Sequence, residues 1–220
     1  NMNKISRLPL IAVVFMTILS LVNISGMGSA KVTVNFASIA LIIGISAFFI
    51  TSGKEKDDGN GDGLDIKTFL KALKDKQTLI LIFLPSMMNI ICYIIAKLFV
   101  PEFMGHVVGR IGFLALDKFL LLIIQFMVTA LGEEIAWRAF FQKQLSKVIP
   151  FVPALIISSI LFAVCHYTQG KIIVVLYDIL FVFLNAILYG IVFRKTDNAF
   201  ASATAHFLAN LLAAALLFFN

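Results

Sequence analysis

Apolar positions along this 220-residue chain fall in long unbroken runs rather than in a stripe of helical or strand period. Seven runs can be marked, at about 8–26, 34–52, 77–100, 113–138, 151–168, 171–193 and 199–219. Runs of about 18 residues or more predict membrane-crossing helices rather than buried core helices. The first run is interrupted by Asn23, Ser25 and Gly26. It also resembles a signal peptide, with Lys4 and Arg7 ahead of Leu8 to Leu21 and a Gly-Ser-Ala at 28–30. We read it as a retained span, with Asn1 before Met2 expected to be an added residue. The predicted fold is an all-α polytopic transmembrane helical bundle of about seven spans, one integral-membrane domain over 1–220. Its N-terminal spans occupy 1–112, with a loop at 52–76, and a catalytic core occupies 113–219.

The loop at 52–76 is the one long polar stretch. Its second half sets Ile66, Phe69, Leu70 and Leu73 on one helical face opposite several lysines, the pattern of a basic amphipathic helix on the cytoplasmic surface. Its first half contains Asp-Gly-Asn-Gly-Asp-Gly at 58–63, which matches the start of a calcium loop. The twelfth position of such a loop needs a bidentate glutamate and here is Phe69, so a solvated acidic turn is the better reading.

Composition agrees with the runs: 60% hydrophobic, 14% charged, with a mean hydropathy of +1.00. A soluble domain carries about 25% charged residues. The net charge of +6 is explained by basic cytoplasmic loops, not by nucleic-acid binding. With the N-terminus inside, the cytoplasmic side receives Lys4, Arg7, Lys54, Lys56, Lys67, Lys71, Lys74, Lys76, Arg138, Lys143, Lys147, Arg194 and Lys195. The outside receives only Lys31, Arg110, Lys118 and Lys171. This imbalance predicts a multi-pass protein of the cell membrane with a cytoplasmic N-terminus. Cys92 and Cys165 sit in apolar runs without metal-type spacing, and packing is their expected role.

Ionisable residues within spans are costly and mark function by default. Away from the loops and span ends, with Lys97 able to snorkel, they are Glu133, Glu134, Arg138, His166, Asp178 and His206, with Asn210 beside them. Glu134 and Arg138 are four apart and stack as an ion pair on a helix. Glu133 points elsewhere, and its i+4 neighbour Trp137 cannot neutralise it. An unpaired carboxylate in an apolar setting is suited to proton transfer. If one helix runs from Glu133 to the turn at Ile149–Pro150 and the next begins at Phe151, Glu133 and His166 lie at one level. That level is roughly 23 Å from the turn, which makes His166 the expected partner of Glu133, with Phe162 packing beside the imidazole. His206 and Asn210 share a face roughly 13 Å into the last span, and the depths agree if 140–150 extends beyond the bilayer. Glu133, His166, His206 and Asn210 are thus expected to converge in one cytoplasm-facing cavity. A single intramembrane histidine can be a packing residue; two of them with a glutamate and an asparagine at compatible depths define a functional site. Asp178 matches no cluster and is read as a structural hydrogen bond, and His106 as a loop residue without signal.

Three motifs carry a resemblance: Glu-Glu-x-x-x-Arg at 133–138, Phe-x-x-x-His at 162–166 and His-x-x-x-Asn at 206–210. In this order, on successive late spans, they resemble the CAAX protease and bacteriocin-processing (Abi) family of intramembrane proteases, over about residues 113–219. Compact size and short loops suggest a bacterial member, for which prenylated CAAX substrates are not expected. The resemblance implies a membrane-embedded endopeptidase in which Glu133 and His166 activate the attacking water. His206 and Asn210 would stabilise the oxyanion, and Glu134 and Arg138, with Phe162, would brace the site. A divalent metal stays open, since Glu133, His166 and His206 could supply three zinc ligands. The His-Glu-x-x-His signature is absent, and the preferred reading has no tightly bound zinc.

The expected activity is cleavage of a membrane-associated peptide or protein at the cytoplasmic side. The alternative is a non-catalytic membrane scaffold or bacteriocin-immunity protein that binds a partner membrane protein. A transporter would favour internal repeats or broken mid-membrane helices, neither of which is evident. The partners implied are a peptide or membrane-protein substrate and the bilayer; no oligomeric state is implied.

Overall fold

The computed structural model describes residues 7–24, 35–57, 63–110 and 119–218. The helices, in chain order, are α1 (Arg7–Ile24), α2 (Phe36–Asp57), α3 (Ile66–Ala72), α4 (Lys76–Phe99), α5 (Phe103–Arg110) and α6 (Phe119–Glu134). A π-helix (Ile135–Gln142) and α7 (Lys143–Leu145) continue α6 without a break, and α8 (Phe151–Cys165), α9 (Ile172–Thr196) and α10 (Ala199–Phe218) follow. The described residues contain no strand, and the protein is an all-α membrane helical bundle.

Seven apolar helices follow the order of the seven predicted runs. Four are long and apolar enough to cross a membrane: Lys76–Phe99, Leu120–Leu145, Ile172–Thr196 and Ala199–Leu217. Arg7–Asn23, Phe36–Ser52 and Phe151–Cys165 are apolar but shorter. At 1.5 Å per residue, the 15 residues of α8 span about 22 Å, less than a hydrocarbon core of about 30 Å. The fourth predicted run needs its boundary moved, because its helix continues past Arg138 through the π-helix; residues 113–118 lie outside the described residues. Outward-facing Ile80, Leu98, Phe99, Leu120, Val128 and Ile172 are all exposed, as lipid-facing side chains are.

α10 packs against α4, α6 and α9, while α1 and α2 pack together and cover the π-helix and α8. The main apolar core joins Met16 and Phe48 to Trp137, Phe140, Phe141 and Phe162. Its tightest approach is at Gly44, where an added Cβ would lie 2.7 Å from the Ala136 Cβ.

The polar loop is tied down at its second half. Asp65 caps α3 through Lys67 and Thr68, and Asn198 ties α3 to the α9–α10 turn by donating to the Asp65 carbonyl at 2.7 Å. That turn holds Asp197 at φ 43°, a left-handed position that Asp tolerates. The amphipathic face of α3 divides. Phe69 and Leu73 pack inward, with Phe69 6.0 Å from the Phe200 ring, while Ile66 and Leu70 are exposed. Asp75 caps α4, and its carboxyl is pulled down to about 2, first by the Thr78 hydroxyl and then by Lys195. Most of the calcium-like segment, residues 58–62, lies outside the described residues.

Candidate active site

Glu133 and Glu134 end α6, and at the next residue the hydrogen bonding widens into a π-helix, a feature common at functional sites. All eight π-helical residues are buried, although Arg138 and Gln142 are polar. Both polar side chains donate across the interface with α9. Arg138 donates to the Ala186 carbonyl at 3.0 Å, and Gln142 donates to the Gly190 carbonyl at 3.1 Å. Donors and acceptors are each four apart, so the two bonds form rungs that fix the π-helix against α9. Gly190 is required for the second rung: a Cβ there would lie 2.5 Å from Gln142 Oε1 and 2.3 Å from Leu155 Cδ1.

The ion pair expected from sequence is present. Arg138 Nε lies 3.3 Å from Glu134 Oε2, with both residues fully buried. The guanidinium also sits 4.5 Å from the Phe162 ring centre and 5.7 Å from that of Tyr189, so aromatic faces share its charge. Glu134 has a second task that its spacing did not reveal. Its Oε1 lies 3.0 Å from Nδ1 of His206. A carboxylate paired with arginine can only accept, so His206 donates through Nδ1 and turns Nε2 toward Glu133, whose Oε2 is 3.7 Å away. Tyr189 stacks on the same imidazole at 4.4 Å with rings 16° apart, which fixes its plane.

The partner of Glu133 is therefore His206 rather than the expected His166. The two-helix depth argument placed Glu133 and His166 at one level but could not see how far each helix is turned about its axis. His166 caps α8, and its Nδ1 lies 2.9 Å from the Phe162 carbonyl. That carbonyl can only accept, so Nδ1 carries the proton and Nε2 is left with a lone pair. Phe162 packs between the two histidines, with ring centres 4.7 Å from His166 and 6.0 Å from His206.

His166, His206 and Asn210 line one cavity of about 140 Å³, with Phe162 and Tyr189 beside them. This holds several waters at about 30 Å³ each. Glu133 is not among its walls and meets it through His206. The cavity extends away from the end of the bundle that the basic residues predict to be cytoplasmic. From α10 it is lined by Ala213, Leu216 and Leu217 beyond His206, from α9 by Asp178 and Phe181 before Tyr189, and from α5 by Phe103 and Arg110. It thus runs toward the α5 end of the bundle, away from Lys143, Arg194 and Lys195. The depth estimate was measured from the cytoplasmic turns and carried no information on which way the space beside the histidines extends.

Two further corrections concern residues set aside in the sequence. Asp178 belongs to a cluster: its Oδ2 lies 3.1 Å from Arg110 Nη1 and 3.5 Å from His106 Nε2, and Thr168 Oγ1 is 3.1 Å from that same nitrogen. His106 is part of this cluster and of α5, not an isolated loop residue. Opposite charges at the outer ends of neighbouring spans were the available signal. Tyr189 and Gln142 carried none, since their roles come from contacts between helices. As a ligand set, Glu133, His166 and His206 do not fit a metal ion in this arrangement. Among the described residues no three His, Cys, Asp or Glu side chains gather closely enough to hold one.

A paired glutamate–arginine buried among aromatics lies beside two oriented histidines and a second carboxylate, a set of groups able to move protons and to bind a polar atom. Residues 115–212, a little under half the chain, match the family model described as type II CAAX prenyl endopeptidase Rce1-like. Over this stretch the chain is similar to the CAAX proteases, a family of membrane-embedded endopeptidases. No curated protein and no solved structure is matched by the chain.

Proposed function

We propose that the protein hydrolyses a peptide bond of an apolar, membrane-associated peptide held in the cavity beside His206. The observation that carries this reading is the two-sided hold on His206, by Glu134 at Nδ1 and Glu133 at Nε2, at the wall of that cavity. Glu133 and His166 take the proton of the attacking water. Each has the chemistry for it, Glu133 as a carboxylate outside the Glu134–Arg138 pair and His166 through a free Nε2. His206 and Asn210 donate to the oxyanion that forms on the attacked carbonyl. For His206 this requires a proton on Nε2 as well as on Nδ1, and two carboxylates flank the ring in support of that charge. Apolar walls from Tyr93, Phe103, Met104 and Phe181 suit aliphatic or aromatic substrate side chains. The peptide approaches from the α5 end, which the lysine and arginine imbalance sets opposite the cytoplasm.

The test uses purified full-length protein in lipid nanodiscs and a panel of quenched-fluorescent peptides. The panel includes sequences ending in cysteine, two aliphatic residues and a variable residue, farnesylated and unmodified. Wild-type protein cleaves at least one, and both Glu133→Gln and His166→Ala lower kcat by about 10²-fold or more, as loss of a general base does. Cleavage that survives both substitutions contradicts the reading.

A further inference from the structure

Next to the two histidines, α4, α9 and α10 are linked by a relay of side-chain amides. Asn185 donates from Nδ2 to Asn89 Oδ1 at 2.7 Å, and Asn89 donates from Nδ2 to the Ala209 carbonyl at 2.8 Å. The direction of this relay is fixed. The Ala209 carbonyl can only accept, so Asn89 must present its amino group to it and its oxygen to Asn185. Asn185 must then give its amino group to Asn89, which leaves its own Oδ1 as a committed acceptor. That oxygen is buried and has no hydrogen-bond partner among the described residues. Asn185 is 8% exposed, and both asparagines line the cavity that holds His166, His206 and Asn210.

A buried acceptor without a partner costs about 1–3 kcal/mol, and at the wall of a functional cavity a bound ligand can supply the missing donor. We infer that Asn185 Oδ1 is a substrate-positioning acceptor that takes a main-chain N–H of the bound peptide beside the bond being cleaved. This rests on the peptidase reading above. The other polar pair in that half of the cavity, Arg110 with Asp178 at 3.1 Å, is already neutralised, so Asn185 is the acceptor left for an uncharged donor. Its position fits the main chain. Asn185 lies one turn, about 5.4 Å, from Tyr189 along α9, on the α5 side, and Tyr189 stacks on His206. An extended peptide advances about 3.4 Å per residue, so the N–H it receives belongs to the first or second residue from the scissile bond.

The test takes the panel peptide that wild-type protein cleaves fastest and methylates its amide nitrogens one at a time. Asn185→Leu is expected to raise KM about tenfold with kcat within about twofold, the signature of lost binding common to ground and transition states. One N-methyl position, one or two residues from the cleaved bond, is expected to raise the wild-type KM by a similar factor and to have no further effect in Asn185→Leu. The melting temperature of Asn185→Leu is expected to stay within a few degrees of wild type, which separates a binding role from a folding defect. Independent, multiplying effects of methylation and Asn185→Leu would overturn the proposal and leave a water-filled acceptor. So would a fall in kcat as large as the rise in KM in Asn185→Leu. Loss of all cleavage in Glu133→Gln while wild type is active supports the peptidase reading whatever Asn185 does. A wild-type protein that cleaves nothing in the panel removes both.

Discussion

His206 is held at each of its ring nitrogens by a different carboxylate and pressed flat by Tyr189. That arrangement depends on Arg138, which neutralises Glu134 where both are fully buried. Removing one partner of a fully buried ion pair leaves the other charge uncompensated and costs about 3–5 kcal/mol. Arg138→Met is therefore expected to lower unfolding stability in detergent by about that amount, and pairing it with Glu134→Gln is expected to recover a large part. Equal instability of single and double variants would show that the pair is not the source. The difference between the two adjacent glutamates was legible in the sequence, because i,i+4 spacing pairs Glu134 with Arg138 and leaves Glu133 without a partner. The contact of both glutamates with His206 was not legible. It joins residues more than 70 apart and depends on how α10 is rotated, which neither spacing nor hydropathy records.

Among the elements, the π-helix was the least visible in advance. Ile135 to Gln142 reads as an ordinary continuation of an apolar helix, and its change in hydrogen bonding comes from tertiary rungs to α9. Gly190 is the point where that dependence can be tested. A methyl group there would overlap Leu155 and Gln142, both packed within the bundle. Overpacking of this kind costs about 1–3 kcal/mol or more. Gly190→Ala is expected to lower thermal stability and to reduce cleavage by shifting the π-helix that follows the glutamates. A variant with unchanged melting and activity would mean that the rung from Gln142 is dispensable. The long helices themselves were readable from hydropathy to within a few residues, since a membrane demands length and apolarity from each crossing helix alone.

For the molecule as a whole, the lysine and arginine imbalance predicts the α3 end inside and the α5 end outside, and the cavity runs to the α5 end. In intact cells, a membrane-impermeant maleimide is expected to label Lys171→Cys, and to label Lys74→Cys only after permeabilisation. The reverse pattern would turn the bundle over and bring the cavity to the cytoplasm. The three motifs and their order were enough to indicate a protease, whereas the direction of the cavity needed the packing of α5 against α9 and the course of α10 past His206. The central claim is that Glu133 acts as a base and not as part of the frame. The direct measurement is peptide cleavage by Glu133→Gln in nanodiscs, with melting temperature recorded on the same sample. The account predicts a kcat lowered by about 10²-fold or more with a melting temperature within a few degrees of wild type. Retained cleavage would contradict it, as would activity and melting temperature falling together.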